Sequence, residues 1–422
     1  MGVRINLEVS KLFYLIILIS ILSTNLFGQS ITINGYLLDS ENNRPVAFAN
    51  VFLAQTTIGT STNESGYFIM EVPSGEYQLV TSHIGFELNI QDITFKQDTS
   101  LHLILQQKIK TLKELVVSPD TTNWFSNYKL FVGSFIGETR NAEFTKIQNP
   151  KDIYFYYDDY QNKLYGFSNK EIVIINEALG YKIFYTLREF EMNFKSGFLI
   201  SYGIPRFQTL NPPSKKQLRT WQKNRRKAYN GSFYHFLSSL KQNKIKENGF
   251  QVREIFRTKV DKDTTLVRGK IQYFRKKLME SSKTNDGFVL SANNPIIDSL
   301  SYWNKIKNEP NYIDSLGSII INRSTLMPES NIICCKSILQ ISYLNEREEF
   351  GYRGNGKRDK KQTSLVHFQK NPFRIDSNGF YAVEKVIFEN YLAWSSKLAE
   401  MLPLDYINRL NNPNRVNGSA QN

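Results

Sequence analysis

The side chains that most often carry out chemistry are few in this sequence, and they stand apart. A zinc peptidase needs histidine and glutamate ligands at short spacing, because together they hold and polarise a metal-bound water. None of the four histidines begins a His-x-x-Glu motif, and all are isolated: His83, His102, His235 and His367. The sequence therefore predicts neither a metal site nor a zinc carboxypeptidase.

Other short catalytic motifs are also absent from the sequence. It contains no Gly-x-Ser-x-Gly elbow and no dinucleotide fingerprint, and the basic run Tyr352–Lys361 lacks the Gly-Lys-Ser/Thr of a phosphate-binding loop. Carboxylates such as Asp158 and Asp159 could pair in a hydrolase, although spacing alone does not identify a glycosidase pair. We therefore favour a non-enzymatic protein without a cofactor and keep a hydrolase as the alternative.

The only cysteines are the neighbours Cys334 and Cys335. A disulfide between adjacent residues would be strained, because their Cα atoms are only about 3.8 Å apart. The surrounding segment, residues 331–344, is predicted to be a strand, which would direct the two thiols to opposite faces. We interpret them as small residues that fill a strand rather than as a redox or metal site, so a buried core must stabilise the chain.

The strongest concentration of charge is a run of seven basic residues within thirteen positions. It falls on a predicted helix that Ser214 caps and that ends at Tyr229, before Asn230-Gly231-Ser232. Arg225 lies on the apolar side of this helix, so it is set aside. The other six are the candidate anion-binding residues, with a solvated helix face as the alternative: Lys215, Lys216, Arg219, Lys223, Arg226 and Lys227.

Three further residues near this run can each be interpreted in two ways. Trp221 and Tyr229 could stack on a sugar or a nucleobase, but their spacing fits the core-facing stripe of the helix better. His235 lies beside the apolar stripe of a second predicted helix, residues 232–245. We interpret it as a hydrogen-bonded boundary histidine rather than a catalytic base.

The start of the chain predicts export. Arg4 and Lys11 precede the apolar run Leu12–Leu22, which is shorter than the roughly 20 residues needed to span a bilayer. Gly28 before Gln29 fits signal cleavage, so residues 1–28 are predicted to be a signal peptide, with an uncleaved anchor as the alternative. The mature chain would then have no transmembrane helix and would lie in the periplasm or at the outer membrane.

The net charge of +14 is unevenly distributed. Residues 29–118 carry nine acidic and five basic side chains, while residues 119–422 carry a net charge of +17. A basic domain in the cytosol would suggest nucleic acid. Behind an export signal we expect no nucleic acid, and the partner is predicted to be a lipid head group, an anionic glycan or an acidic protein.

Residues 29–118 show short alternating runs separated by turn formers, without a helical period. Examples are Tyr67–Val72 and Glu76–Ile84, with Gly66 and Gly75 in the intervening turns. This pattern predicts an antiparallel β-sandwich. Gly66 is expected to adopt positive φ, which glycine tolerates without a Cβ clash.

These turns resemble a known family. The run Thr62-Asn63-Glu64-Ser65-Gly66-Tyr67-Phe68, followed by "PSGEY" and "IGF", is similar to the carboxypeptidase regulatory-like domain, a transthyretin-like sandwich. The family pattern has Asp where this chain has Asn63, and Asn keeps the capacity for an Asx-turn. The resemblance implies a non-catalytic module of exported proteins. Such domains also precede TonB-dependent receptors, and residues 109–119 resemble the segment that follows the sandwich there.

Residues 119–422 are predicted to form a larger, basic α+β domain of unknown function. Strand patterns at 152–194 and at 250–258 flank the two predicted helices, which should form a helical hairpin on an antiparallel sheet. A final short helix is predicted around Trp394, Leu398 and Met401, and Pro403 is expected to end it.

Together these features favour a non-enzymatic cell-envelope protein. Its β-sandwich would act as an adapter, and its basic domain would bind an anionic surface partner. The first alternative is a hydrolase active on envelope polysaccharide or peptidoglycan. The second is a receptor-like outer-membrane barrel, against which the basic helices and the many charges in the strands argue.

Overall fold

The computed structural model describes residues 30–108, 123–281, 295–309, 311–320, 323–329, 331–352, 360–376 and 386–411. The predicted signal peptide, the segment 109–119 and residues 353–359 of the basic run lie outside these residues. The chain forms two compact units. The first comprises Met1–Val252, Ile320–Lys336 and Ile341–Asn422, and the second comprises Arg253–Ile319 and Ser337–Gln340.

The first part of the chain is the predicted sandwich, which confirms the fold class. Its two sheets have the strand orders β4-β1-β7 and β3-β2-β5-β6. Every pair in them is antiparallel except β1 and β7, which run parallel. The strands are β1 (Ser30–Asp39), β2 (Asn50–Leu53), β3 (Gly59–Ser61), β4 (Tyr67–Pro73), β5 (Gly75–Ser82), β6 (Asn89–Phe95) and β7 (Thr99–Leu105).

The turn before β4 forms as the sequence predicts. The Asn63 side-chain oxygen accepts hydrogen bonds from the N–H groups of Ser65 (3.0 Å) and Tyr67 (2.9 Å), so asparagine supplies the Asx-turn. Gly66 has φ +71°. A Cβ there would lie 2.7 Å from the carbonyl oxygen of Leu37, so both the backbone angle and the space require glycine.

The α+β body that follows begins with a helix packed on a sheet. The sheet has the order β8-β11-β12-β10-β9, and β13 pairs with β12. Phe131 and Phe135 of the helix pack against Phe155, Tyr185 and Phe190 of the sheet. The elements are α1 (Trp124–Phe135), β8 (Thr145–Ile147), β9 (Ile153–Asp158), β10 (Lys163–Ser168), β11 (Ile172–Asn176), β12 (Tyr181–Asn193) and β13 (Phe198–Thr209), with 3-10 helices at Arg140–Phe144 and Pro150–Asp152.

The two predicted consecutive helices are also present, α2 (Lys215–Tyr229) and α3 (Phe233–Lys241), but they do not pack side by side as the predicted helical hairpin. The hydroxyls of Ser214 and Ser232 cap the two helices by accepting hydrogen bonds from the backbone three residues ahead. Gly231, at φ +73°, provides the break between the helices.

The rest of the first unit surrounds a second sheet, in which β17, β18 and β20 are neighbours. The strand β14 (Phe250–Lys259) begins in this unit and continues into the second. The other elements are α6 (Arg323–Leu326), β16 (Ile332–Ile333), β17 (Ile338–Arg347), β18 (Lys361–Phe368), β19 (Phe373–Arg374), β20 (Val386–Asn390), α7 (Tyr391–Ser395), the 3-10 helix Leu398–Glu400 and α8 (Leu404–Asn411).

Two sequence predictions in this region are wrong. The predicted strand at 331–344 is broken between β16 and β17, so Cys334 and Cys335 lie outside any strand. Their N–H groups instead bind the Leu326 carbonyl (2.8 Å) and the Asn371 side chain (3.2 Å). The predicted helix around Trp394–Met401 is split after Ser395, and a new helix, α8, follows Pro403.

The second unit contains two packed helices and a strand pair. Sequence reasoning had predicted the strand at 250–258 but had assigned neither helix. The elements are α4 (Thr264–Ser281), α5 (Pro295–Asn308) and β15 (Tyr312–Ile320), which pairs with β14. Arg257 and Asp314 form a bidentate ion pair between the two strands, at 2.7 and 2.8 Å. Val267 and Ile271 are the buried residues of α4.

Within the first unit, the sandwich packs against the α+β body through the loop after β2. The Gln55 N–H binds the Pro205 carbonyl (2.8 Å), and the Leu404 N–H binds the Gln55 carbonyl (2.8 Å). Asp405 accepts hydrogen bonds from both the N–H (2.9 Å) and the hydroxyl (2.6 Å) of Thr57. The loop therefore joins the sandwich to β13 and to α8.

Candidate functional site

All six candidate anion-binding residues lie on the exposed side of α2. At 100° per residue they occupy an arc of about 120° around the helix axis. The opposite side carries Trp221, Arg225 and Tyr229, which are buried. We call the exposed set the α2 basic face: Lys215, Lys216, Arg219, Lys223, Arg226 and Lys227.

Contacts with the turn between β11 and β12 fix the orientation of this face. The Trp221 indole donates to the Glu177 carbonyl (2.7 Å), and the Arg225 guanidinium donates to the carbonyls of Leu179 (2.7 Å) and Gly180 (3.2 Å). The guanidinium also lies 4.1 Å from the centre of the Tyr181 ring. Arg225 and Trp221 therefore hold the helix in place, and neither Trp221 nor Tyr229 offers an open stacking surface.

One member of the α2 basic face differs from the others. Lys227 forms an ion pair with Glu349 at 2.8 Å, so its charge is partly neutralised inside the molecule. Within the described part of the chain, the other five cations have no acidic partner. The spacing of the run could predict the exposed arc, but a contact 122 residues away leaves no local signal in the sequence.

His235 is a neutral, hydrogen-bonded boundary residue. Its Nδ1 accepts a hydrogen bond from the Gly231 N–H (3.2 Å), and the rings of Tyr229 and Phe250 lie within 5 Å, centre to centre. Burial lowers the pKa of His235 to about 4. This value is too low for a general base near neutral pH.

The carboxylates that the sequence suggested for a hydrolase shape a turn instead. Asp158 accepts the N–H of Gln161 at 2.8 Å in the turn between β9 and β10, and Asp159 is exposed. The two side chains therefore do not face each other across a cleft.

The structure places a cavity where the sequence gave no indication of a site. It has a volume of about 150 Å³ and lies at the break between α2 and α3. A cavity of this size can hold a benzene-sized molecule. Its walls come from the end of β17, the start of β18, α7 with the segment after it, and Gln55 of the sandwich. We call it the hairpin cavity.

Three glutamates line the hairpin cavity. Glu349 is paired with Lys227, as described above. Glu346 accepts hydrogen bonds from the amides of Asn230 (3.2 Å) and Gln362 (3.4 Å). Glu400 accepts hydrogen bonds from Thr139 (2.5 Å) and Asn141 (2.9 Å).

Burial shifts the ionisation of the groups in this wall. Burial raises the pKa of Glu400, and the neighbouring Glu349 adds to that effect, although the hydrogen bonds from Thr139 and Asn141 oppose it. Burial also raises the pKa of Tyr391, and the nearby carboxylates of Glu349, Glu400 and Glu346 raise it further. All three carboxylates therefore disfavour the ionised form of Tyr391.

Lys397 lines the same cavity and is partly exposed. Burial lowers the pKa of its ammonium group to about 8. In the described residues no carboxylate lies within ion-pair distance of it. Sequence reasoning missed Lys397 because it had placed the residue on the predicted short helix around Trp394, Leu398 and Met401.

Across the described ranges, no group of three or more histidine, cysteine, aspartate or glutamate side chains is arranged to hold a metal ion. In the same part of the chain, no helix is both long and apolar enough to cross a bilayer.

Comparison with protein families identifies the first domain. Residues 33–117 match the family model of the CarboxypepD_reg-like domain. The match confirms the resemblance carried by the turn around Gly66, and it covers the sandwich rather than the α+β body. No curated protein matches the chain.

Similar solved structures are remote. One is a cohesin–X-dockerin complex from Acetivibrio cellulolyticus, with 19% identity over 18% of this chain and 56% of that chain, about half its length, at a TM-score of 0.17. A DUF3823 family protein from Bacteroides ovatus has 12% identity over 43% of this chain and 82% of that one, at a TM-score of 0.16. A protein from Bacteroides fragilis is named as a membrane-associated protein of unknown function. It has 10% identity over 86% of this chain and 95% of that chain, at a TM-score of 0.16. Such low TM-scores carry no functional argument.

Proposed function

We propose that this chain is a non-enzymatic cell-envelope protein that docks on an anionic surface through the α2 basic face. The regulatory-like sandwich, a module typical of envelope proteins, forms one part of the first unit, and the basic α+β body supplies the contact. The observation that carries this proposal is the fixed arc of six exposed cations, five of them without an acidic partner among the described residues.

The arrangement of these cations is unfavourable without a partner. Neighbouring like charges on a helix cost some tenths of a kcal/mol per close pair. Because Arg225 and Trp221 anchor the other side, α2 presents all of its cations in one fixed direction. An anionic surface opposite the face would convert this repulsion into attraction.

A lipid surface fits the shape of the face better than a small ligand does. The fifteen residues of α2 extend over about 22 Å, and the cations lie along most of this length. Each lysine or arginine held near an anionic membrane contributes about 1 kcal/mol to binding. We therefore commit to acidic phospholipid head groups as the partner.

The test is vesicle binding by the chain from Gln29 onward. We expect co-sedimentation with phosphatidylglycerol vesicles at 0.1 M salt and release at 1 M, since the Debye length falls from about 10 Å to 3 Å. Replacing Lys216, Lys223 and Arg226 by glutamine should weaken binding at least about tenfold. Glutamine has nearly the helix propensity of lysine, so α2 should remain intact.

A matched variant separates the α2 basic face from net charge. Replacing Arg268, Lys270 and Arg275 of α4 by glutamine removes the same charge from another exposed helix and should leave most of the binding. Equal loss in the two variants would show that only net charge matters. Binding to anionic glycans but not to vesicles would overturn the lipid assignment.

A further inference from the structure

The hairpin cavity is partly open and holds opposite charges in its walls without pairing all of them. Its walls carry Lys397 and three glutamates, of which only Glu349 has a cationic partner, Lys227. Such a cavity is independent of the α2 basic face, apart from Lys227. Charged groups held in a partly buried space without partners are the usual sign of a binding site for a complementary ligand.

Lys397 forms the cationic side of the cavity. Lys397 is partly exposed, and no carboxylate of the described residues lies within ion-pair distance of it. Its partial burial lowers the pKa of the ammonium group to about 8. A bound carboxylate would supply the missing partner through a charge-assisted hydrogen bond.

The anionic side of the cavity is kept separate from Lys397. Glu346 and Glu400 receive hydrogen bonds from amides and a hydroxyl, all of them neutral donors. In the described residues no ion pair joins Lys397 to either glutamate. The positive and negative groups therefore line the same space but do not neutralise each other.

We propose that the hairpin cavity binds a small zwitterion, an α-amino acid with an apolar side chain, whose carboxylate meets Lys397 and whose ammonium group meets Glu346. The remaining lining suits the apolar side chain, because it is formed by Phe233, Phe388, Met401, Leu402 and Ile407. The volume of about 150 Å³, which can hold a benzene-sized molecule, suits a small apolar side chain.

Other ligand classes fit this lining less well. A phosphate dianion would meet three carboxylates around Tyr391, which would repel it. A simple amine would leave Lys397 unpaired, and a simple carboxylic acid would leave Glu346 without a cation. A metal ion is disfavoured because the three glutamates are not arranged as ligands. Of these ligand classes, only the zwitterion can pair with both Lys397 and Glu346.

The first experiment is a screen of the twenty standard amino acids against the chain from Gln29 onward by thermal shift. We expect one or more apolar amino acids to raise the melting temperature by about 3 °C at saturating concentration. For the strongest, the decarboxylated amine and the deaminated acid are then titrated by calorimetry. Each should bind at least about tenfold more weakly than the parent amino acid.

Two variants assign the charges to the walls. Lys397→Met should weaken binding of the amino acid at least about tenfold but leave the affinity for the amine unchanged. Glu346→Gln should weaken binding of the amino acid similarly but leave the affinity for the deaminated acid unchanged. Lys223→Gln, on the α2 basic face and outside the cavity lining, should bind the amino acid like the parent.

The proposal fails on several results. It is wrong if no amino acid shifts the melting temperature, or if the amine or the acid binds as tightly as the amino acid. It is also wrong if both cavity variants lose binding of all three compounds equally, because that pattern would reflect damage to the fold. Vesicle binding is a separate readout, so failure here leaves the proposed docking function untouched.

Discussion

At Lys397 the fold partly buries a lysine that has no ion pair among the described residues. The residue lies between the split end of α7 and the 3-10 helix Leu398–Glu400, where Leu398 and Ala399 enter the core of the sheet. The chain must therefore carry the intervening lysine partly inward. Placing the lysine here costs stability in the absence of a ligand.

Replacing Lys397 by methionine should therefore stabilise the unliganded protein. Methionine has similar length and no charge, so the buried space stays filled. The folded-state pKa of about 8 lies below the 10.5 of an unperturbed lysine, so the penalty is fully present below pH 8 and disappears as the pH rises towards 10.5. We expect a gain of about 3 kcal/mol at pH 7, by urea unfolding, and a smaller gain at pH 9.5.

The control for this prediction is Lys223→Met, which removes an exposed lysine of α2. Its stability should change little and without the same dependence on pH. A Lys397→Met protein that is less stable than the parent at pH 7 would show that the ammonium group is well solvated in the fold.

Among the elements, those that depend on local signals are the ones that the sequence could predict. The helices α2 and α3 follow from their serine caps and apolar stripes, and the turn before β4 follows from Asn63 and Gly66. The end of α7 does not follow from a local signal. The spacing of Trp394 and Leu398 fits a helix, but the Ala399 N–H binds the Ile136 carbonyl (3.1 Å) and the Asn176 amide binds the Ala399 carbonyl (2.9 Å). These distant partners replace the helical hydrogen bonds.

The two candidate sites also differ in whether the sequence could predict them. The α2 basic face is contiguous in sequence, so helical periodicity was enough to predict its six residues. The hairpin cavity draws Gln55, Glu346, Lys397 and Glu400 from segments far apart in the chain. No spacing rule brings such residues together, and only the fold does.

The turn at Gly66 gives a prediction at the scale of this element. Gly66→Val should lower the free energy of unfolding by at least about 3 kcal/mol, because a β-branched residue is strained at φ +71° and its Cβ would meet the Leu37 carbonyl. The matched change is Gly85→Ala, at φ +88° with nothing within 4 Å of the added Cβ. There only the backbone cost of about 1 kcal/mol applies. Chemical denaturation measures both, and equal effects would refute the clash at Gly66.

At the scale of the whole first unit, the sandwich has a hydrophobic core of its own and a second apolar contact that it shares with the α+β body. Phe68, Leu79 and Phe95 belong to a cluster made entirely by the sandwich. On the other face of its second sheet, Phe52 and Val80 pack with Ile204 of β13. The sandwich is therefore expected to fold alone but to lose stability when it is separated from the body.

Residues 29–118 expressed alone should melt cooperatively at a lower temperature than the intact chain. Val80→Thr should cost more stability in the intact chain than in this fragment, where the contact with Ile204 is missing. Val72→Thr, inside the sandwich core, should cost the same in both. A random-coil circular dichroism spectrum of the fragment, or equal costs for Val80→Thr, would contradict this division.

The contact between Thr57 and Asp405 joins residues that lie 348 positions apart. Contacts of such sequence separation carry a large loop-closure entropy and are the slowest to form. The hairpin cavity, which needs both Gln55 and the segment up to Ile407, is therefore complete only after the remainder of the first unit has folded. During synthesis its last wall emerges from the ribosome long after its first. A chain that has closed this cavity has brought Gln55 and the segment up to Ile407 together, and occupancy of the cavity would report that contact.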